Sequence, residues 1–392
     1  MHYSEECGIM LTNVFRYHAL RYSGGGLDKN LPVSRKYTPY EMIVSQAGDY
    51  TQNKSQNAQV SLPTQINCLN ADPLKPPQSC GEERFLTFGG IDPHTSDGSQ
   101  SCRMVEEYKS STNSWHLLTK LPDTRHHHGV ATLDGFFYLV GGYTVDEGGS
   151  SGPTNSCYRY SYTENYWSKT SSMEHARAYH GVAVLGGVLY ALGGQGISGR
   201  DLDSLEFYNP DTDAWAEATS LTECKRGVAT IGYQGLIYCI GGFNEAKDKK
   251  SVLATVECFD PLQNMWIRKN SISIARCHAD VVNINDKLFL IGGATFYEDC
   301  DSVSSLDSIL RYNETADHWD AFSHMAMPRH DIGCAVIESK LYILGGINSM
   351  TNKTLDDVIC LDVETGNWIT GVKRLKSRSL GIASCTPSEK IR

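Results

Sequence analysis

The sequence predicts an all-β fold, a six-bladed β-propeller, and three observations lead to that prediction. Pairs of glycines follow apolar runs about fifty residues apart, all six tryptophans fall into the same register, and four short strand-like segments fill each repeat. A four-stranded unit of this length cannot bury both of its faces alone. Such units stack radially as the blades of a propeller.

The glycine pairs set the period of the repeat. Their first members are separated by 52, 52, 48, 51 and 53 residues. From each of the first five tryptophans to the first glycine of the next pair the distance is 26 residues. Variation is confined to the stretch after each pair, which is typical of a fixed scaffold with variable loops. The pairs are Gly89-Gly90, Gly141-Gly142, Gly193-Gly194, Gly241-Gly242, Gly292-Gly293 and Gly345-Gly346.

Two further columns share this register. Seven residues before each tryptophan stand Tyr108, Tyr160, Tyr208, Phe259, Tyr312 and Leu361. Ten residues after each tryptophan, or eleven in the third repeat, stand Arg125, Arg177, Arg226, Arg276, Arg329 and Arg378. We interpret the glycines and aromatics as structural, because glycine permits close backbone approach and each buried aromatic contributes roughly 1.5–3 kcal/mol.

The second complete copy shows the predicted strands. Residues Tyr179 to Leu185 and Val188 to Leu192 are largely apolar and flank the tight-turn signal Gly186-Gly187, which predicts a hairpin. Residues Ser204 to Tyr208 alternate, a turn signal follows, and Trp215 opens the last strand. Helical periodicity is absent from these copies.

The run Leu189-Tyr190-Ala191-Leu192-Gly193-Gly194, with Tyr208 and Trp215 behind it, resembles the kelch repeat. The resemblance covers residues 85 to 385. WD-repeat propellers are the structural alternative, but their Gly-His and Trp-Asp pairs do not recur here. We therefore predict a six-bladed kelch propeller over residues 85–392.

The ends of the repeat region predict how the ring closes. The first copy begins at Phe85 without an arginine-led strand before it, and the chain ends with an orphan segment, Arg378 to Cys385. We predict that this C-terminal segment supplies the innermost strand of the first blade. That pairing would remove an exposed sheet edge.

Two N-terminal segments precede the propeller. We predict a short helix in residues 1–23, ended by Gly24-Gly25-Gly26, and a flexible linker in residues 24–84, which is rich in proline, asparagine and glutamine. The run Val14-Phe15-Arg16-Tyr17-His18-Ala19-Leu20 resembles the closing helix of the BACK domain in kelch-like (BTB–BACK–kelch) proteins. The BTB domain of that family is missing, so we expect a fragment or a short isoform.

Composition excludes several classes of function. The net charge of −10 and the absence of a basic block argue against nucleic acid as a partner. No apolar run is long enough to span a membrane, so we expect no membrane partner. The thirteen scattered cysteines, without any Cys-x-x-Cys pair, are typical of a reducing compartment, and we expect the cytoplasm or also the nucleus.

Chemical motifs are lacking as well. There is no phosphate-binding glycine loop, no nucleophile elbow and no paired-histidine zinc helix. The run His126-His127-His128 is the most tempting metal candidate, but consecutive residues of a strand point to opposite faces, so the three cannot share one ion. We therefore predict no enzyme activity, no catalytic residue, no cofactor and no metal.

The loops at one end of the propeller are the predicted partner-binding site. The arginine-bearing segments sum to +10 and the loops after the glycine pairs sum to −8, which predicts a basic inner rim and an acidic peptide as partner. The kelch-like resemblance implies the same face, with these contacts by position: Arg125, His126, Tyr143, Arg177, Gln195, Lys225, Arg226, Phe243, Arg276, Cys277, Arg329, His330 and Arg378. The other reading of the arginines is that they buttress neighbouring blades.

Two functions remain open at this point. The kelch-like resemblance implies a propeller that recognises substrate proteins for a cullin-based ubiquitin ligase, with the cullin bound only through the missing BTB region. The alternative is a cytoskeletal, actin-binding or scaffold kelch protein unrelated to ubiquitin. The helix before the linker favours the first.

Overall fold

The computed structural model describes residues 83–94, 100–145, 151–246, 249–297 and 300–387. The helix predicted for residues 1–23 and nearly all of the linker predicted for residues 24–84 lie outside these residues. Within the described parts the chain forms strands and turns and no helix, so the prediction of an all-β fold is confirmed. It follows that these parts contain no helix of the length and apolarity that a membrane span requires.

Six antiparallel sheets of four strands each make up the molecule. From inner to outer strand, they are sheet 1, Ala383–Cys385, Arg84–Phe88, Met104–Lys109 and Ser114–Lys120; sheet 2, Gly129–Leu133, Phe136–Val140, Cys157–Ser161 and Tyr166–Thr170; sheet 3, Gly181–Leu185, Val188–Leu192, Leu205–Asn209 and Ala214–Glu217; sheet 4, Ala229–Tyr233, Leu236–Ile240, Val256–Asp260 and Met265–Lys269; sheet 5, Asp280–Ile284, Lys287–Ile291, Ser308–Asn313 and His318–His324; and sheet 6, Gly333–Ile337, Lys340–Leu344, Val358–Asp362 and Trp368–Ile369.

Sheet 1 joins the two ends of the repeat region. Its inner strand, Ala383–Cys385, pairs antiparallel with Arg84–Phe88, and Leu86 lies opposite Cys385. The inner strands of all six sheets contact one another in cyclic order, sheet 6 against sheet 1 included. Both edges that an open array would expose at this seam are therefore occupied.

Six apolar cores hold the sheets together, one between each successive pair. The core at the seam contains Phe85, Tyr108 and Trp115 from sheet 1 with Tyr342 and Leu344 from sheet 6. Successive side chains of a strand enter the cores on opposite sides of its sheet, as Leu189 and Tyr190 do, because side chains of a strand point to alternate faces. No sheet has a core of its own, which is the reason the repeats must stack.

Three members of the tryptophan column, Trp115, Trp215 and Trp266, tie their outer strands to the neighbouring sheet. Tyr208 lies directly opposite Trp215, as the seven-residue spacing predicts for a hairpin. The indole Nε1 of Trp215 donates a 2.9 Å hydrogen bond to the carbonyl oxygen of Ser171, which follows the outer strand of sheet 2. Trp115 makes the same bond across the seam, to the carbonyl oxygen of Lys373 at 3.0 Å. The structural reading of these aromatics agrees with this packing.

Loops after the glycine pairs gather at one end of the sheets, together with the segments that lead into the inner strands. We call this end the loop face. Most of these loops form short ribbons of their own, namely Ile91–Asp92 with Gln100–Ser101, Tyr143–Val145 with Ser151–Pro153 and Arg125–His126, Phe243–Ala246 with Lys249–Val252, Ala294–Tyr297 with Cys300–Ser305, and Ile347–Asn348 with Lys353–Thr354. The strand that ends at each glycine pair therefore feeds directly into this face.

Candidate partner-binding face

A column of buried cations supports the loop face. Four arginines donate Nη1 hydrogen bonds of 2.8–3.2 Å to the carbonyl oxygen of the first glycine in the pair sixteen residues further on. These arginines are Arg125, Arg177, Arg276 and Arg329, and each is at most 1% exposed. Each fixes the start of one inner strand against the end of the next strand of the same sheet. We call this set, with its equivalents in the other two sheets, the buttress column.

The equivalents in the remaining sheets correct the arginine alignment. The second glycine of each pair donates its backbone N–H to a carbonyl oxygen of the neighbouring sheet, and the six acceptors belong to Arg125, Arg177, Lys225, Arg276, Arg329 and Ser379. Lys225 and Ser379 therefore stand where the sequence prediction placed Arg226 and Arg378. Both predicted residues lie one position away from the column.

Carboxylates neutralise most of the column from within. Arg125 pairs with Asp123 at 2.5 Å, Arg177 with Glu206 at 2.6 Å, and Arg329 with Asp357 at 2.7 Å. The ammonium of Lys225 lies 2.7 Å from Glu257. Arg276 donates instead to uncharged oxygens of Gly292 and Ser308, and burial lowers the pKa of its guanidinium to about 10. The part of the predicted basic rim that belongs to this column is therefore largely compensated inside the protein.

Burial removes these cations from the predicted partner site. Arg125, Arg177, Lys225 and Arg276 have no exposed surface, and their donors are directed to internal oxygens. In this conformation they cannot contact a partner, so the structure assigns them the buttressing role. Arg378 differs, because its side chain is exposed.

The residues just after the buttress column form the rim of the central channel. Each pairs through its backbone with the residue that follows a glycine pair. The pairs are His126 with Tyr143, Ala178 with Gln195, Arg226 with Phe243, Cys277 with Ala294, His330 with Ile347, and Leu380 with Ile91. The structure thus brings together seven predicted site residues: His126, Tyr143, Gln195, Arg226, Phe243, Cys277 and His330.

Rim side chains are packed against one another. The ring of His126 stacks on Tyr143 at 5.4 Å, and the Tyr143 hydroxyl donates to Gln195 Oε1 at 2.5 Å. Arg226 lies over the Phe243 ring at 4.5 Å and binds Asp201 Oδ1 at 2.5 Å. Burial raises the pKa of Tyr143 to about 12, which keeps the phenol neutral.

The remaining two predicted site residues of the rim, His330 and Cys277, are equally buried. His330 shares a 2.9 Å hydrogen bond between its Nδ1 and the Ser305 hydroxyl, and burial lowers its pKa to about 4. Cys277 packs with Phe243 and Ala294 in a small apolar cluster, and burial raises the pKa of its thiol. The rim therefore offers mainly shape and uncharged polar groups.

One position further on, six residues close a ring of hydrogen bonds around the channel axis. Each backbone N–H donates to the carbonyl oxygen of the preceding sheet's equivalent residue, at 2.7–3.1 Å. All six have positive φ, between 50° and 61°. The residues of this axial ring are His127, Tyr179, Gly227, His278, Asp331 and Gly381.

Four side chains of the axial ring meet at its centre. His278 Nδ1 lies 2.6 Å from Asp331 Oδ1, and His127 Nε2 lies 3.7 Å from the same oxygen. Tyr179 contacts both imidazoles, with ring centroids 4.2 Å from His127 and 5.5 Å from His278. Burial disfavours the charged carboxylate, but His278 and His127 outweigh it and hold the pKa of Asp331 well below its usual range.

The three consecutive histidines occupy three different surroundings. His126 belongs to the rim and His127 to the axial ring, and their Nδ1 atoms are 2.5 Å apart. His128 packs instead against the neighbouring glycines, because a Cβ added to Gly142 would lie 2.6 Å from the His128 Cβ. Burial lowers the pKa of His128 well below its usual value. His128 is thus a packed residue between sheets.

Below the axial ring lies a channel of about 180 Å³, with Thr230, Asp280 and Ser384 in its wall. The sequence analysis did not predict this ring. Tyr179, His278 and Asp331 were not predicted, because their column mixes aromatic, charged and glycine residues. The signal available was the position itself, two residues after each member of the buttress column, where glycine stands twice among six copies.

The comparison with known proteins decides the family. Residues 78–293 match the model of the KLHDC2/KLHL20/DRC7 Kelch-repeats domain, and residues 328–372 match the Kelch motif. The chain belongs to the Kelch-repeat family. The resemblance drawn from the glycine, tyrosine and tryptophan columns is confirmed.

Individual relatives of this Kelch-repeat chain fall into two groups. Beta-scruin of Limulus polyphemus is 28% identical over 310 residues, which cover 77% of this chain and 34% of that protein. Kelch-like protein 26 of Homo sapiens is 30% identical over 285 residues, 72% of this chain and 45% of that protein. The chain spans about a third to a half of the length of the curated relatives it matches.

A solved structure supports the fold. The protein in "Structure of YjhT" aligns with 71% of this chain and 95% of its own length. The TM-score is 0.59 at 18% sequence identity. The shared fold thus extends over most of the sheets described above.

Proposed function

We propose that the loop face recognises a partner protein, and that this chain, when joined to a BTB–BACK segment, selects substrates for a cullin-based ubiquitin ligase. The proposal takes the six sheets as the blades of one closed propeller. It assigns the protein no catalytic role. The similarity of this chain to Kelch-like proteins 26 and 36 supports the adaptor role.

One observation carries the binding proposal, the contrast between neighbouring columns on the loop face. The buttress column is cationic in five of six copies and buried. The next two columns, in the rim and the axial ring, differ in side chain from copy to copy, although their backbone bonds repeat in every sheet. Nearly all rim side chains are as buried as the buttress column, whereas axial-ring side chains such as Tyr179 and His278 are partly exposed, so the varied surface open to a partner is that of the axial ring. A uniform support beneath such a surface is the arrangement that binding loops on a rigid scaffold show.

A cluster of basic groups open to a partner lies at the seam between sheets 6 and 1. Lys373, Arg374, Lys376 and Arg378 are exposed in the segment that leads to the C-terminal strand. Arg374 and Lys376 are 69% and 52% exposed while they pair with Asp356 and Glu106. An acidic stretch of the partner would contact this seam segment, residues 373–378, rather than the buried buttress column.

Charge reversal at the seam tests the acidic-partner proposal. In quantitative affinity purification, Arg374→Glu and Arg378→Glu should lower the capture of seam-dependent proteins at least about tenfold, with the effect weakening at high salt. Lys287→Glu is the matched control, because Lys287 is exposed in a hairpin turn at the opposite end of sheet 5. Equal capture by all variants would overturn an acidic contact at the seam.

A chimera separates the adaptor from the scaffold alternative. The chain fused behind a BTB–BACK segment should shorten the half-life of the proteins it captures, and the chain alone should bind them without doing so. Tyr179→Ala in the axial ring should abolish the effect, whereas Tyr166→Ala on an outer strand should not. Captured proteins that keep their half-lives with the chimera, such as cytoskeletal filaments, would favour the scaffold.

A further inference from the structure

A histidine and two glutamates meet at the outer part of the loop face on sheet 3. Glu174 and His175 lie in the segment that leads into its inner strand, and Glu217 ends its outer strand. One donor atom from each of the three residues lies within 4.8 Å of the others. The group is separate from the rim and from the axial ring.

The donor atoms lie somewhat farther apart than in a metal coordination shell, so a bound ion would draw the three side chains together. His175 Nδ1 lies 3.8 Å from Glu217 Oε1 and 3.5 Å from Glu206 Oε1. This nitrogen is buried, yet it makes no hydrogen bond to any residue that the structure describes. Ligand atoms about 2.0–2.1 Å from a tetrahedral zinc ion lie about 3.3 Å apart.

A buried carboxylate holds the two neighbouring ligand residues in place. Glu206 is 1% exposed and accepts hydrogen bonds from the backbone N–H of Glu174 at 2.6 Å and of His175 at 3.1 Å. Arg177 anchors Glu206 in turn, at 2.6 Å. Such outer contacts orient metal ligands and are part of a working site.

Local charge favours a divalent cation. The carboxylates of Glu174, Glu206 and Glu217 outnumber the single guanidinium of Arg177 by two. Because an imidazole is among the donors, transition metals are preferred over Mg²⁺ and Ca²⁺, which take oxygen ligands.

We propose that Glu174, His175 and Glu217 bind Zn²⁺, with Glu206 as the residue that orients them. Three protein ligands leave a fourth coordination position for water or for a group of a bound molecule. The proposal is independent of the adaptor function, since neither the rim nor the axial ring supplies a ligand.

Titration of the purified chain with Co²⁺ and Zn²⁺ tests the site. Wild-type protein should take up one Co²⁺ with a visible d–d band and without sulfur-to-metal charge transfer, and Zn²⁺ should displace it. His175→Ala and Glu217→Gln should weaken this binding at least about tenfold. His318→Ala is the matched control, because His318 is exposed on an outer strand and lies 3.9 Å from Asp320 alone.

Urea unfolding of each variant distinguishes loss of the site from loss of the fold. Metal affinities are compared only among variants that are folded. Equal affinity in wild type and His175→Ala would overturn the proposal. A spectrum dominated by thiolate charge transfer would also overturn it. So would the absence of binding at about 100 µM Zn²⁺, a concentration far above the dissociation constants of ordinary structural zinc sites.

Discussion

At the scale of single residues, the buttress column explains why the loop face can remain rigid although its side chains differ from one sheet to the next. Each of its four arginines joins the start of an inner strand to the glycine turn at the end of the next strand, deep inside the sheet. Isolated charges at such depth would be costly, and carboxylates such as Glu206 offset most of that cost. The rim residues above can change without disturbing these bonds.

Arg177→Met should destabilise the protein by about 3–5 kcal/mol, because it leaves the Glu206 carboxylate buried without its partner. Arg378→Met removes an exposed cation and should change stability by less than about 0.5 kcal/mol. Urea unfolding measures both. Unchanged stability in Arg177→Met, combined with lost partner capture, would show that this arginine contacts the partner and does not support the fold.

Buried histidines predict how stability depends on pH. Burial lowers the pKa of His180 to about 3 and of His330 to about 4, below the ordinary value of 6.5. Between pH 6.5 and about 5 the unfolded chain therefore binds protons that the folded chain does not. Acidification over this window should cost roughly 2 kcal/mol per histidine. His330→Gln should make the fall of the urea midpoint shallower.

Asp280 acts in the opposite direction. Desolvation raises the pKa of this carboxyl, in the channel wall, from 3.8 to about 6. The folded state binds the proton more tightly, so this group alone would increase stability as pH falls from about 6 towards 3.8. Asp280→Asn should raise stability at pH 7 and steepen the fall on acidification. A pH profile identical to that of the wild type would show that the carboxyl titrates normally.

The arginine column shows what the sequence could and could not predict at this scale. Trp215 plus ten residues gives Lys225, the true column member, but matching by residue type selected Arg226. A constant distance of sixteen residues to the next glycine pair would have corrected the third copy. In the last copy the column falls on Ser379 because one extra residue follows Trp368, and no spacing from earlier copies could reveal that.

At the scale of elements, the entry into each inner strand is a one-residue bend with positive φ. These six bends place their backbone groups in the axial ring, so each sheet is bonded to both neighbours next to the axis. Glycine at two of the six positions is a packing requirement. The imidazole of His127 occupies the space where a Gly381 side chain would lie.

Gly381→Ala should destabilise the protein more than Gly186→Ala. Both residues have nearly the same φ, +57° and +59°, so the backbone strain of about 1–2 kcal/mol is shared. A Cβ at Gly381 would lie 2.6 Å from His127 Nε2, whereas one at Gly186 would meet nothing within 4 Å. Overpacking should add about 1–3 kcal/mol at Gly381 alone. Equal losses in thermal unfolding would show that the ring tolerates displacement of His127.

The sequence predicted some of the strands and missed others. The hairpin predicted around Gly186-Gly187 is present, because alternation and a tight turn are local signals. The ribbons on the loop face were not predicted, since their strands are as short as the two residues Ile347–Asn348 and carry no periodicity. Their pairing depends on the glycine turns that bring the two ends of each loop together.

At the scale of the whole molecule, stability is distributed over six equivalent interfaces, each with its own core and its own hydrogen bond in the axial ring. The pairing of Ala383–Cys385 with Arg84–Phe88 inside sheet 1 is the contact that chain connectivity does not provide. Leu86 and Cys385 pair there, almost three hundred residues apart in sequence. A closed ring should therefore lose protection everywhere when this pairing is lost.

Hydrogen exchange of a chain that ends at Arg378 measures that closure directly. If the six sheets form one cooperative ring, loss of the C-terminal strand should remove protection also from Ala229–Tyr233, the inner strand of the opposite sheet. A chain that ends at residue 387 keeps every described residue and should exchange like the wild type. Increased exchange confined to Arg84–Phe88 and Gly333–Ile337, with sheet 4 fully protected, would contradict a closed six-bladed propeller.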